Sequence, residues 1–186
     1  MNTLAQNIGG TLAGEVSLDQ VLVARERRVA RQSAALARFG KPLVSMTVVM
    51  PGPVKDGPLP RHVLEVALQE VEALANARHW AVLEREFSSR QTGPEAIYVL
   101  AADPGLLKAA TVQLEDQHPL GRLWDLDVIA PGEGGLSRWA LALPPRRCLV
   151  CDRPAFECGR SRRHSLGELL NAIRTIVHDY DARSPE

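Results

Sequence analysis

The chain of 186 residues is poor in aromatics and has no excess of either charge: three tryptophans, two tyrosines and three phenylalanines, with 22 lysines and arginines against 22 aspartates and glutamates. A neutral chain does not bind nucleic acid or a membrane surface through bulk charge, and so few aromatics leave little for base stacking. Any cationic function must be local. No apolar run approaches the roughly 18 residues that a membrane-crossing helix needs, and the start, MNTLAQNIGGTLAGE, has no basic stretch followed by an apolar core. The expectation is a soluble, cytoplasmic protein with neither nucleic acid nor membrane as partner. Cysteine is scarce too. Three residues, all between 148 and 158, are an odd number that disfavours a disulfide framework and leaves metal binding or plain burial. No G-x-x-x-x-G-K-[ST] loop is present to support an ATP site of that kind.

The length suits one domain, 1–186, with a sizeable core. The first 15 residues, rich in Gly and Ala, are expected to be frayed. From Ser17 to Phe39 the sequence reads as a helix, with a Ser17–Gln20 capping box at its start and Gly40 after its end. Leu18, Leu22, Val29 and Leu36 form an apolar stripe at helical spacing, but Arg25 and Gln32 fall within it and Arg28 at its edge. Cations on a core-facing stripe either snorkel to water or reach an anionic ligand in a cleft. The β-branched run LVSMTVVM, 43–50, reads as a buried strand leading into the loop PGPVKDGP, and a helix follows over 60–77. HWAVLEREF and AIYVLAA read as strands on either side of the turn-rich SSRQTGPE, and Asp103 with Pro104 opens a helix to 117. A strand ending at Pro131 and another in LSRWALAL complete the order strand, helix, strand, strand, helix, strand, strand. That order predicts an α+β fold, a mixed sheet of four to five strands with helices packed on one face, ferredoxin-like or nucleotidyltransferase-like. A Cys/Arg-rich segment, 145–164, follows, and a Ser165–Glu168 capping box opens a last helix.

Within HPLGRLWDLDV, 118–128, two aspartates stand one residue apart. In a strand Asp125 and Asp127 share one face, while Trp124, Leu126 and Val128 pack on the other. Burying the pair unpartnered is costly, so the two carboxylates either reach water as a solvated strand face or are bridged by a cation. Oxygen ligands of this kind suit Mg²⁺, which keeps positions open for substrate phosphates. Arg146, Arg147, Arg153, Arg160, Arg162 and Arg163 concentrate positive charge just before the last helix. Phosphates are the partners such guanidinium groups favour, next to a helix amino terminus; a solvated basic loop or a docking surface for an acidic carrier protein is the alternative. Cys148-x2-Cys151-x6-Cys158-x5-His164 has the ligand types of a closed tetrahedral Zn²⁺ site, which would staple a segment poor in apolar residues; His164 can instead bind phosphate.

Arg25-Glu26-Arg27-Arg28 with Gln32, PGPVKD at 51–56, HPLGRLWDLDV at 118–128 and PRRCLVCDRPAFECGRSRRH at 145–164 stand in order along nearly the whole chain. Together they resemble the apo-citrate lyase phosphoribosyl-dephospho-CoA transferases, also called holo-citrate lyase synthases, with Arg27 in place of a second glutamate as the one departure. The resemblance implies a nucleotidyltransferase-type enzyme. It would move the phosphoribosyl-dephospho-CoA group from triphosphoribosyl-dephospho-CoA to a serine of the citrate lyase acyl carrier subunit, with pyrophosphate leaving. Such a displacement needs charge neutralisation and in-line positioning more than covalent help. In that frame Asp125 and Asp127 hold Mg²⁺. Arg122 beside Gly121, and Arg160, Arg162 and Arg163 with Ser161, stabilise the departing pyrophosphate. Arg25, Arg28, Gln32 and Lys55 meet phosphates or ribose, and His118 and His164 are candidate proton carriers. The reading from another class is a non-catalytic zinc- and arginine-rich module for phosphate or RNA, in which the two aspartates would be dispensable.

Overall fold

The computed structural model describes residues 14–183, so the expected fraying of the amino terminus lies, for residues 1–13, outside the described residues. Helix α1 (Leu18–Phe39) is followed by strand β1 (Leu43–Val48), helix α2 (Pro58–Ala77), strands β2 (Val82–Arg90) and β3 (Gly93–Leu100), helix α3 (Pro104–Gln117) and strand β4 (Trp124–Ala130). A two-residue strand β5 (Gly134–Gly135), a short helix α4 (Ala155–Ser161) and helix α5 (Leu166–Asp181) complete the chain. The sheet runs β2-β3-β1-β4-β5. The α+β class is as expected, but every neighbouring pair is antiparallel, so the sheet is not mixed. With α2 and α3 as crossovers, β1 to β4 have the split βαβ arrangement of ferredoxin-like folds.

Local chemistry accounts for the ends of these elements. Ser17 and Gln20 close the expected capping box on α1, and Gly40 ends it in the left-handed region at φ 60°. Asp103 accepts from the Leu106 amide at 2.9 Å to start α3. Ser165 and Glu168 box the start of α5. The expected loop SSRQTGPE is mostly strand: β2 runs to Arg90, β3 starts at Gly93, and only Gln91-Thr92 turn. Gly93, at φ 106°, makes so tight a hairpin feasible, and a Cβ there would lie 3.2 Å from the Lys55 carbonyl over which the hairpin crosses.

The two sheet faces differ. Val44, Met46, Tyr98, Trp124, Leu126 and Val128 are buried beneath α2, α3 and α5, with Leu64, Val71, Leu107 and Ile173 among their neighbours. Each large side chain so buried contributes about 1.5–3 kcal/mol. The Trp124 indole donates to the Val63 carbonyl at 2.9 Å, so its polar atom is satisfied. Helix α1 covers the opposite face, where helices were not expected, and packs Leu36 and Phe39 on Leu43, Ile97 and Val99. Leu18, Leu22 and Val29 of its anticipated core stripe are exposed. The helix turns Arg28, Arg31 and Gln32 to the sheet instead: Arg28 meets Glu95 at 3.0 Å, Arg31 meets Glu86 at 2.9 Å and also Glu95, and Gln32 donates to Ser45 at 2.8 Å. Half-buried carboxylates on strands require cations opposite them, and that requirement outweighs burial of three aliphatic side chains.

LSRWALAL does not form a strand. Residues Trp139–Leu141 make a 3₁₀ turn, and Trp139 is 89% exposed. Arg138 draws this segment to α3, donating to Glu115 at 2.6 Å and Asp116 at 3.0 Å. The outer edge of β4 is satisfied by side chains and loop: the Leu126 amide donates to Glu115 at 2.8 Å, Lys108 donates to the Leu126 carbonyl at 3.3 Å, the Leu136 amide donates to Val128, and Arg146 donates to the Trp124 carbonyl. Buried Lys108 and Glu115 thus take the place of a neighbouring strand and hold the aspartate-bearing strand in register.

Gly121 opens a 3₁₀ turn, Gly121–Leu123, that leads into β4 and presses on the end of α3. A Cβ there would collide with the Leu114 carbonyl and lie 2.6 Å from that of Glu115. This glycine serves backbone packing. Gly121→Ala is expected to cost about 3 kcal/mol, lowering the thermal midpoint by roughly 5–10 °C in a calorimetric scan.

Candidate active site

Asp125 pairs with Thr47 across the β1–β4 ladder and Asp127 with Ser45, while Thr47 also faces Glu95 on β3. Cross-strand partners share a face, so both aspartates stand on the α1 side, as their spacing predicts. Both reach solvent. Asp125 accepts from Arg146 at 3.1 Å. Desolvation on the sheet face, reinforced by Asp125, pushes the Asp127 carboxyl above the ordinary aspartate range. A cation between the two would relieve that repulsion.

Asp125 lines one cavity and is bonded to Arg146 in the wall of a second. The first and smaller, of about 200 Å³, opens between α1 and the sheet and is lined by Arg25, Arg28, Thr47, Lys55, Glu95 and Asp125. Arg28 is committed to Glu95. Arg25 and Lys55 have no carboxylate partner among the described residues. Burial, and then the charge of Arg25, hold the Lys55 ammonium below its usual pKa, while its donors turn back to the Met50 carbonyl. Two cations facing each other without a counter-ion make a site for an anion. Arg25, Arg28, Lys55 and Asp125 are thereby brought together, whereas Gln32 is spent on Ser45.

The second cavity, about 760 Å³, lies between the loop after β1, the start of β4 and the Cys/Arg-rich segment, and includes Arg122, Arg146, Arg162 and His164 in its wall. Arg146 belongs to this wall and also holds Asp125, so it joins the two cavities. Arg160, Ser161 and Arg163 are outside the lining. Arg160 lies over the Phe156 ring, and the Ser161 hydroxyl donates to the Glu157 carbonyl within α4. His118 is elsewhere: it stacks on Trp124 with centroids 4.4 Å apart, accepts from the Leu120 amide, and is held below the ordinary histidine pKa by burial.

The Cys/Arg segment folds as a knuckle. The Cys148 amide donates to Arg153 at 2.8 Å, the Ala155 amide donates to Arg146 at 2.7 Å, and the Val150 amide points at the Cys148 sulfur. Helix α4 then ends on Arg162 in the left-handed region, φ 46°, which turns His164 back toward the cysteines. The Cys151 sulfur is 3.5 Å from that of Cys158 and 3.4 Å from His164 Nε2, and all four ligand atoms lie within 4.8 Å of one another. Tetrahedral zinc with such ligands separates them by roughly 3.5–3.8 Å, so the group fits a metal ion and is compatible with Zn²⁺. Burial, together with the neighbouring thiols, pushes the Cys158 thiol up to about 11.

Thr47 and Glu95 line the smaller cavity and Arg146 holds Asp125; of the three, only Arg146 was named from sequence. Arg146 carried a signal only as part of the arginine cluster; Thr47 and Glu95 depend on strand register, which no local pattern reveals.

Asp125 thus lines the smaller cationic cavity and is held by Arg146 of the larger one, with Asp127 on the same sheet face. Known proteins give the class. A family model described as apo-citrate lyase phosphoribosyl-dephospho-CoA transferase matches residues 16–180. Proteins of that name from Escherichia coli O1:K1 and from Citrobacter koseri are each 44% identical over 167 residues, which is 90% of this chain and 91% of theirs. The chain belongs to the apo-citrate lyase phosphoribosyl-dephospho-CoA transferase family. It is therefore a transferase, and the non-catalytic module is set aside. Among the described residues no helix is long and apolar enough to cross a membrane.

Proposed function

We propose that this enzyme transfers the phosphoribosyl-dephospho-CoA group of triphosphoribosyl-dephospho-CoA to a serine of the citrate lyase acyl carrier subunit, forming a phosphodiester and releasing pyrophosphate. The observation that carries the reading is Asp125, set where a small cavity with two unpaired cations meets a larger one rich in arginine. Charge that develops on a triphosphate is neutralised by Arg25 and Lys55 of the smaller cavity. Asp125 and Asp127 are the residues to hold Mg²⁺, which would neutralise phosphate oxygens there. Thr47, between Asp125 and Glu95, offers a hydroxyl to orient a phosphate oxygen. His164, on the wall of the larger cavity, is better placed than His118 to affect the reaction, and as a zinc ligand it would do so by position and not as a proton carrier. Cys148, Cys151, Cys158 and His164 would hold a structural Zn²⁺, which would fix the segment that carries Arg146 and Arg162.

Lys55→Ala tests the triphosphate subsite. A charge-assisted contact to phosphate is worth about 1.5–3 kcal/mol, so the KM for the triphosphate donor is expected to rise roughly tenfold to a hundredfold, with the carrier's KM unchanged, in an assay that weighs the carrier by mass spectrometry. An unchanged donor KM would remove the small cavity from the reaction.

A further inference from the structure

The larger cavity has a chemistry distinct from that of the smaller. Its volume of about 760 Å³ falls in the range of about 300–1,000 Å³ that small-ligand sites occupy. Val49, Leu149, Leu166 and Leu169 give it an apolar side, and Arg122 and Arg162 a cationic one. Arg122 is half-buried and makes no ion pair and no side-chain hydrogen bond among the described residues. Burial and the adjacent Arg146 hold its guanidinium below the usual arginine pKa. A cation kept there without a partner, beside an aliphatic wall, fits a ligand that is anionic at one part and flat or apolar at another. The smaller cavity, by contrast, is polar throughout its cationic end and has too little room, about 200 Å³, for a base and its ribose together with a triphosphate.

We propose that the larger cavity binds the dephospho-CoA part of the donor, with its diphosphate on Arg122 and Arg162 and its adenine against Leu149, Leu166 and Leu169. The proposal rests on the transfer reading above, since a donor that carries both a dephospho-CoA part and a triphosphate part must span two anion sites. Arg146, bonded to Asp125 and lining the larger cavity, marks where the two parts join. The reacting phosphoryl group then lies over Asp125.

Calorimetric titration of the metal-loaded full chain with dephospho-CoA alone, and separately with inorganic tripolyphosphate, tests the division. Arg122→Ala is expected to weaken dephospho-CoA at least about tenfold while tripolyphosphate binding stays within about twofold; Lys55→Ala gives the reverse. Arg162→Gly is a second variant that preserves the fold, because glycine accepts the left-handed conformation at φ 46° that arginine adopts under strain there. It too should weaken dephospho-CoA and spare tripolyphosphate. The proposal is overturned if dephospho-CoA affinity ignores both arginines, or if it falls with Lys55→Ala. In a parallel transfer assay, a wild type that loads the carrier although its affinity ignores Arg122 and Arg162 sinks only the placement. A wild type that binds neither ligand and loads no carrier sinks the transfer reading as well.

Discussion

Asp125→Asn is expected to lower the transfer rate by a factor of about 10²–10³ while leaving the protein folded, because it removes one preorganised charge at the reacting group. The substitution keeps the shape of the side chain. What it loses structurally is an ion pair with Arg146 in which Asp125 remains 47% exposed, and pairs this open contribute at most about 1 kcal/mol. Trp124 and Leu126, which anchor the strand on either side, are unaffected. Asp127→Asn has a different expected signature. Its carboxyl is already destabilised by desolvation and by Asp125, so neutralising it relieves repulsion and should leave stability equal or higher, while transfer still falls. Rates from carrier mass spectra, read beside thermal scans of both variants, check the pair: a loss of rate that tracks a loss of folding would assign the aspartates to structure.

The second large effect concerns the metal proposed at Cys148, Cys151, Cys158 and His164. Removing it with a chelator, or breaking the set by Cys151→Ser, is expected to open residues 145–164 to proteolysis and abolish transfer while most of the sheet signal survives. The reason lies in the distribution of core. Between Arg146 and His164, only Cys158 is buried, whereas the sheet with α2 and α3 has a large apolar cluster of its own. The segment therefore depends on its ligands, as small metal modules do. Loss of activity follows because Arg122, Arg146 and Arg162 no longer share a wall. Metal analysis of the purified protein should find about one ion per chain, and thiol titration should find three unreactive cysteines until chelator is added. Three freely reactive thiols in an active, metal-free protein would refute the site.

Much of the fold was legible because its signals are local. Ser17 with Gln20, Asp103 with Pro104 and Ser165 with Glu168 announced three helix starts, and alternation through Trp124-Asp125-Leu126-Asp127-Val128 announced both the strand and the face of its carboxylates. The errors arose where a long-range partner decided. Leu18, Leu22 and Val29 have the spacing of a core stripe, yet Glu86 and Glu95, more than fifty residues away, drew Arg28 and Arg31 to the sheet and left those aliphatics in water. LSRWALAL has strand composition, yet Arg138 is held by Glu115 and Asp116 on α3, while β4 finds its edge partners in Lys108 and Glu115. Gly121 was read only as the neighbour of Arg122, and its close approach to the Leu114 and Glu115 carbonyls depends on how α3 packs on the turn before β4.

The same division holds for the site. Cys148, Cys151, Cys158 and His164 converge because a short knuckle and one turn of helix suffice to join them, and their spacing carried that information. Arg25 and Lys55 meet Asp125 only through the packing of α1 and the crossing of the β2–β3 hairpin at Gly93. Their sequence signal was a charge out of place, which says that something anionic is near without saying what. Arg160 and Arg163 had the same signal and lie outside both cavities.

The most direct measurement combines the purified protein with apo-carrier subunit, triphosphoribosyl-dephospho-CoA and Mg²⁺, and follows pyrophosphate release and the intact mass of the carrier in the same sample. Transfer predicts one pyrophosphate for each carrier that gains the mass of a phosphoribosyl-dephospho-CoA group, on a single serine located by fragmentation. Pyrophosphate released without a gain in carrier mass, or a carrier left unmodified by the wild-type enzyme, would contradict it.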